Sequence, residues 1–131
     1  MMSANLPQNA LTWFEIPAVD YNKTKQFYEN LLDVQLTDEP MGPPDEQMFY
    51  AKFPTQDGDP VTGAVCQGPH LKPGDSGTVI YLACQDLDAS LGRLDGLGGA
   101  IIAPKMALPD DLGDIAVIRD CDGNTIGLHG R

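Results

Sequence analysis

Trp13-Phe14-Glu15-Ile16-Pro17-Ala18-Val19-Asp20 is a short strand stopped by a proline and followed by a helix cap. Val79-Ile80-Tyr81-Leu82-Ala83-Cys84-Gln85-Asp86 restates that pattern 66 positions later. Aromatic and branched side chains suit a pleated surface, and a strand sends successive side chains to opposite faces. Phe14 and Ile16 therefore share one face, with Trp13 and Glu15 on the other. Ile80 and Leu82 likewise oppose Val79 and Tyr81. Asp20 and Asp86 have the acceptor side chain that satisfies the free N–H groups of a helix start. After Asp20, Thr24, Phe27, Tyr28, Leu31 and Leu32 recur at helical spacing, predicting a helix that stops near Asp33. After Asp86, Leu87, Leu91, Leu94 and Leu97 do the same, and Gly98-Gly99 ends the run.

The same order continues outward in both directions. Val34–Leu36 is expected to begin a short strand, 39–46 is a proline-rich loop, and Gln47–Phe53 and Val61–Gln67 are strands around an Asp57–Pro60 turn. In the second half the expected strands are Ala100–Ala103, Asp114–Arg119 and Thr125–His129. A loop falls within 104–113, and Asp120-Cys121-Asp122-Gly123-Asn124 forms a turn. A single shift of 66 is expected to relate every element. Residues 68–77 are almost all loop formers and make the linker. The expectation is one α+β domain over 1–131: tandem βαβββ modules at about 10–67 and 78–130, forming a pseudo-symmetric curved sheet. One helix per module covers one sheet face only, so the other faces are expected to line a central cleft.

Composition narrows what such a cleft serves. Eight basic residues against nineteen acidic ones give a net charge of -11. That excludes the basic stripe a nucleic-acid partner requires, and it disfavours an anionic membrane surface. No apolar run reaches the length of a membrane span, and the first ten residues carry no leader-like pattern. Cys66, Cys84 and Cys121 are widely spaced and odd in number, the usage of reduced thiols in a cytoplasm. No phosphate loop or Ser-His-Asp order is present.

Three segments carry a family resemblance over about residues 10 to 130. They are Trp13–Pro17 with Asp20 and Phe27-Tyr28; Gly98-Gly99-Ala100; and Asp120-Cys121-Asp122-Gly123-Asn124, with cysteine where proline is usual. Together they resemble the vicinal oxygen chelate superfamily of glyoxalases, bleomycin-resistance proteins and extradiol dioxygenases. The resemblance implies four metal-ligand positions on the first and last strands of the two halves, here Trp13, Val61, Val79 and Gly127. None offers the N, S or O side-chain donor a divalent ion takes. The expected metal set is therefore none, and no cofactor is expected.

Glu15 and His129 lie two positions beyond Trp13 and Gly127, on the cleft face. A ligand contact, an ion pair with Lys52, Arg119 or Arg131, a general base at Glu15, and a displaced metal site all fit that placement. Trp13, Tyr81 and Tyr50 offer flat side chains with polar edges, suited to an amphipathic ligand or to filling the interface between halves. His70, in the linker, is expected in solvent. Three functions follow: a metal-free small-molecule-binding protein, a glyoxalase-like enzyme using Glu15, or a subunit whose cleft a partner chain fills. Relatives in this superfamily commonly pair, so a homodimer is expected.

Overall fold

The computed structural model describes residues 7, 9–39, 48–69 and 71–130. The first half runs β1 (Trp13–Pro17), α1 (Tyr21–Leu32), β2 (Thr37–Asp38), β3 (Phe49–Lys52) and β4 (Thr62–Gln67). The second runs β5 (Tyr81–Ala83), α2 (Leu87–Leu94), β6 (Ala100–Ala107), β7 (Asp114–Arg119) and β8 (Thr125–Gly130). Each half forms a four-stranded sheet with one topology, β1-β4-β3-β2 and β5-β8-β7-β6. In both, the first strand lies parallel to the last and the remaining pairs are antiparallel. A parallel pair needs a crossover, and the helix supplies it.

Both helices begin as their sequences require. Asp20 accepts the Lys23 N–H at 3.3 Å, and Asp86 accepts that of Ala89 at 3.1 Å. They end differently. Asp33 closes α1 in the left-handed region at φ 55°, while α2 tightens into a 3₁₀ turn over Asp95–Leu97 and stops at Gly98, φ 89°. Glycine has no Cβ to oppose that conformation.

The apolar helix faces and the sheet faces beneath them merge into one core spanning both halves. Ile16, Tyr28, Leu31 and Val65 come from the first half, and Leu82, Leu94, Ile118 and Leu128 from the second. Polar links cross it. The buried Tyr28 hydroxyl donates to Asp120 at 2.6 Å, and Asn124 Nδ2 donates to the Pro17 carbonyl at 2.9 Å. The carbonyls at the end of α1 have no helical partner of their own. Ser90 Oγ and Arg93 Nη2 from α2 reach the Leu31 carbonyl at 2.7 and 2.8 Å, and Arg93 Nε reaches that of Asn30 at 2.9 Å. The remaining sheet faces point away from this core.

Ladder pairing sets the true correspondence of the halves. Ile16, Val65 and Ala51 stand in one row, and Leu82, Leu128 and Ala116 in the other. The shift is 66 on the first strand, 65 on the third and 63 on the last, so the single shift of 66 fails beyond the helix. The hairpin between β7 and β8 is shorter than that between β3 and β4, and it absorbs two residues of the difference. The second strand is Thr37–Asp38 rather than Val34–Leu36. β6 runs through Pro104 as far as Ala107, its ladder to β7 broken by two register shifts. Proline lacks an N–H to donate, and an edge strand tolerates that loss at a bulge. The expected loop at 40–46, Gln47, His70 and Arg131 lie outside the described residues.

Candidate functional site

The open face of the first sheet brings together three of the residues singled out from sequence. Trp13 and Glu15 are two apart on β1, and Tyr50 reaches them from β3 across β4. The Trp13 indole Nε1 donates to the Tyr50 hydroxyl at 2.6 Å, and that hydroxyl donates to Glu15 Oε2 at 2.7 Å. The two rings are nearly parallel, 12° between planes and 6.3 Å between centroids. Tyr50 is buried, Trp13 half-buried and Glu15 exposed. Burial, and then the hydrogen bond to Glu15, raises the Tyr50 phenol well above its ordinary value. It therefore stays protonated and remains the donor that orients the carboxylate.

Among the described residues, neither of the expected cationic partners, Lys52 and Arg119, pairs with Glu15. Lys52 pairs with Glu39 at 3.0 Å, and the buried Arg119 Nε has no hydrogen-bond partner among the described residues. Cys66 lies beside Tyr50 in the ladder, on the same face. Burial, followed by the nearby Glu15 charge, pushes its thiol up to about 12. Burial likewise raises Cys84, and lifts Cys121 to about 11. Thiols held in the protonated form are poor nucleophiles and metal ligands.

The second sheet places Tyr81 and His129 on its own open face, in a different arrangement. Tyr81 is half exposed, and its ring lies over Gly127, its partner in the ladder. A Cβ added at Gly127 would fall 2.2 Å from that ring. His129 stands beside Ala83 and donates from Nε2 to the Leu112 carbonyl at 2.7 Å. Among the described residues, no hydrogen bond or ring contact joins Tyr81 or His129 to Trp13, Glu15 or Tyr50.

The metal positions implied by the resemblance also shift. Trp13 stands beside Thr62, and Val61 precedes β4. Thr62, Ala64 and Cys66 alternate with Gly63 and Val65, so the open-face series begins at Thr62. On β8 the Tyr81 ring occupies the space a side chain at 127 would need. An indole, a threonine hydroxyl, the valine at 79 and a glycine do not make a divalent-metal set. Among the described residues, no three His, Cys, Asp or Glu side chains gather elsewhere.

Two cavities flank β1. One of about 290 Å³ lies at the seam between the halves, where Glu15 meets Lys72, Ser76, Thr78 and Thr125. Another of about 520 Å³ borders Trp13, Lys52 and Thr62. A third, about 610 Å³, opens at the start of α1, beside Tyr21, Asp38 and Phe49. Its Asp38 is already engaged by the Tyr21 hydroxyl and by Lys25 at 3.2 Å, which leaves it less suited to a ligand. Sequence reasoning missed the linker residues of the seam cavity, since loop composition alone assigns them no neighbour.

Residues 10–128 match the family model of the Glyoxalase/Bleomycin resistance protein/Dioxygenase superfamily, and the chain belongs to that family. Solved structures share the fold. A fosfomycin resistance protein, FosX, from Listeria monocytogenes is 18% identical with a TM-score of 0.60, covering 94% of this chain and 93% of that one. TnmS3, an antibiotic binding protein from Streptomyces sp. CB03234, is 24% identical with a TM-score of 0.62, over 95% and 98% of the two chains. A glyoxalase I mutant from Zea mays is 21% identical with a TM-score of 0.67, over 90% of this chain but 44% of that one. No curated protein matches the sequence. Among the described residues, no helix is long and apolar enough to cross a membrane.

Proposed function

We propose that this protein binds a small organic molecule on the open face of its first sheet, without the family's usual divalent metal. The carrying observation is the Trp13–Tyr50–Glu15 chain, in which a buried phenol fixes an indole and an exposed carboxylate between two cavities. Flat apolar area beside a few fixed polar groups is what small-molecule sites share. Tyr81 and His129, on the second sheet's open face, are proposed as secondary contacts. Relatives whose names record fosfomycin resistance and antibiotic binding support the reading. Both halves and their linker are taken to act as one cytoplasmic domain. Ile101, Ile102 and Met106, exposed along the edge strand β6, favour a homodimer.

Metal analysis of protein purified without chelators tests the proposal. It is expected to find no stoichiometric divalent ion. Tight metal that is lost in Glu15→Ala or His129→Ala would overturn it and favour the enzyme in which Glu15 is the general base. A monomer in dilute solution that still binds ligand would exclude both the homodimer and the subunit whose cleft a partner fills.

A further inference from the structure

Trp13 and Glu15 stand on one face of β1, two residues and therefore about 6.6 Å apart along the strand. Trp13 presents an indole held on its N–H edge by Tyr50, so the ring is oriented before any ligand arrives. Glu15 has one oxygen satisfied by a neutral hydroxyl, and among the described residues no ion pair compensates its charge. The described ion pairs use Lys25, Lys52 and Lys105, each with another carboxylate. Lys72 lines the cavity beside Glu15, yet forms no described ion pair with it.

A neutral ligand covering this face would strip water from a carboxylate that has no ion-pair partner among the described residues, which is costly. An anion would meet both that carboxylate and the field of a chain carrying -11. A cation gains from each, and an indole face adds to the attraction.

We infer, resting on the small-molecule reading above, that the ligand is an organic cation. An aryl group packs on Trp13 and is joined by a short linker to an amine that pairs with Glu15. Trp13 is the sole tryptophan, so its fluorescence reports this face alone.

The full chain is titrated with phenylpropylamine, phenylpropanol and phenylpropionate, which share the ring and differ in the charge at the tail. The amine is expected to bind about tenfold tighter than the alcohol, with the carboxylate weakest. Glu15→Gln keeps an acceptor for Tyr50 and is expected to abolish the amine's advantage over the alcohol. Asp95→Asn, which lowers the net negative charge in the other half, is expected to preserve the preference. Equal binding of amine and alcohol, or a preference that survives Glu15→Gln, would overturn the cation assignment while leaving a small-molecule site standing. If none of the three probes perturbs Trp13 at millimolar concentration, the binding face itself is wrong and the inference fails with it.

Discussion

The two sheets share a topology and are joined through their helix sides, yet their open faces differ. On the first, Tyr50 ties Trp13 and Glu15 into one hydrogen-bonded unit. On the second, Tyr81 lies over a glycine with its ring half in solvent, and His129 is spent on a backbone carbonyl. The helix faces have kept one apolar pattern because both feed the same core. The open faces carry no such shared constraint. Similarity between the halves therefore marks packing, and the departure from similarity marks the candidate site.

The comparison breaks most completely if the link between halves is removed. Asp120 is buried and accepts from Tyr28, from its own turn's Asp122 and Asn124 N–H groups, and from Asn124 Nδ2. Asp120→Ala is expected to cost about 3 kcal/mol or more, because several buried donors lose their acceptor together. Tyr28→Phe removes one bond and is expected to cost about 1–3 kcal/mol. Chemical denaturation measures both, and a marginal loss for Asp120→Ala would show that this link contributes little to holding the halves together.

A smaller effect separates the two sheets directly. A Cβ at Gly63 would stand 2.4 Å from both the Phe14 carbonyl oxygen and its ring, and the backbone of β1 cannot retreat. Gly63→Ala is expected to cost about 1–3 kcal/mol. At Gly127 the obstruction is the Tyr81 ring, which can swing into solvent, and Gly127→Ala is expected to cost under about 1 kcal/mol. Equal losses in denaturation would mean that Tyr81 is locked over Gly127.

Alkaline pH sharpens the same contrast. Cys66, on the open face of the first sheet, is raised from 9.0 to about 12, and its thiol must stay protonated in the folded state. A raised folded value contributes stability that is complete below pH 9 and lost as pH climbs toward 12. Cys121 is raised to about 11 and acts in the same direction. Unfolding free energy is expected to fall from pH 9 upward, with a shallower slope in Cys66→Ala. An unchanged slope would place the alkaline loss elsewhere. The smallest expected effect concerns the equivalent caps: Asp20→Ala and Asp86→Ala are each expected to cost about 1 kcal/mol in thermal or chemical unfolding. A clear inequality between them would show that the equivalence of the halves stops short of their helices.

Much of this was legible beforehand, and the divide follows the range of the interactions. Asp20 and Asp86 announced their helices because capping involves residues three apart. Trp13 and Glu15 announced a shared face because strand alternation is local. The last strand was less readable. Thr62-Gly63-Ala64-Val65-Cys66 is small and apolar on both sides, so its alternation carries no signal, and the open-face series was placed one residue early at Val61. The partner of Glu15 was missed for a related reason. Lysines and arginines were natural candidates by charge, but the group in reach was a neutral phenol on a strand 35 residues away.

The sequence by itself determined the doubled βαβββ order, the caps and the acidity. Each is written in local periodicity or in composition. Only the tertiary structure decided that Tyr50 stands between Trp13 and Glu15, that Tyr81 covers Gly127, and that Lys72 borders the seam beside Glu15. Those placements depend on strand register and on shortened hairpins. A change of one residue in pairing turns a side chain from the core to the open face without altering the local pattern that predicted the strand.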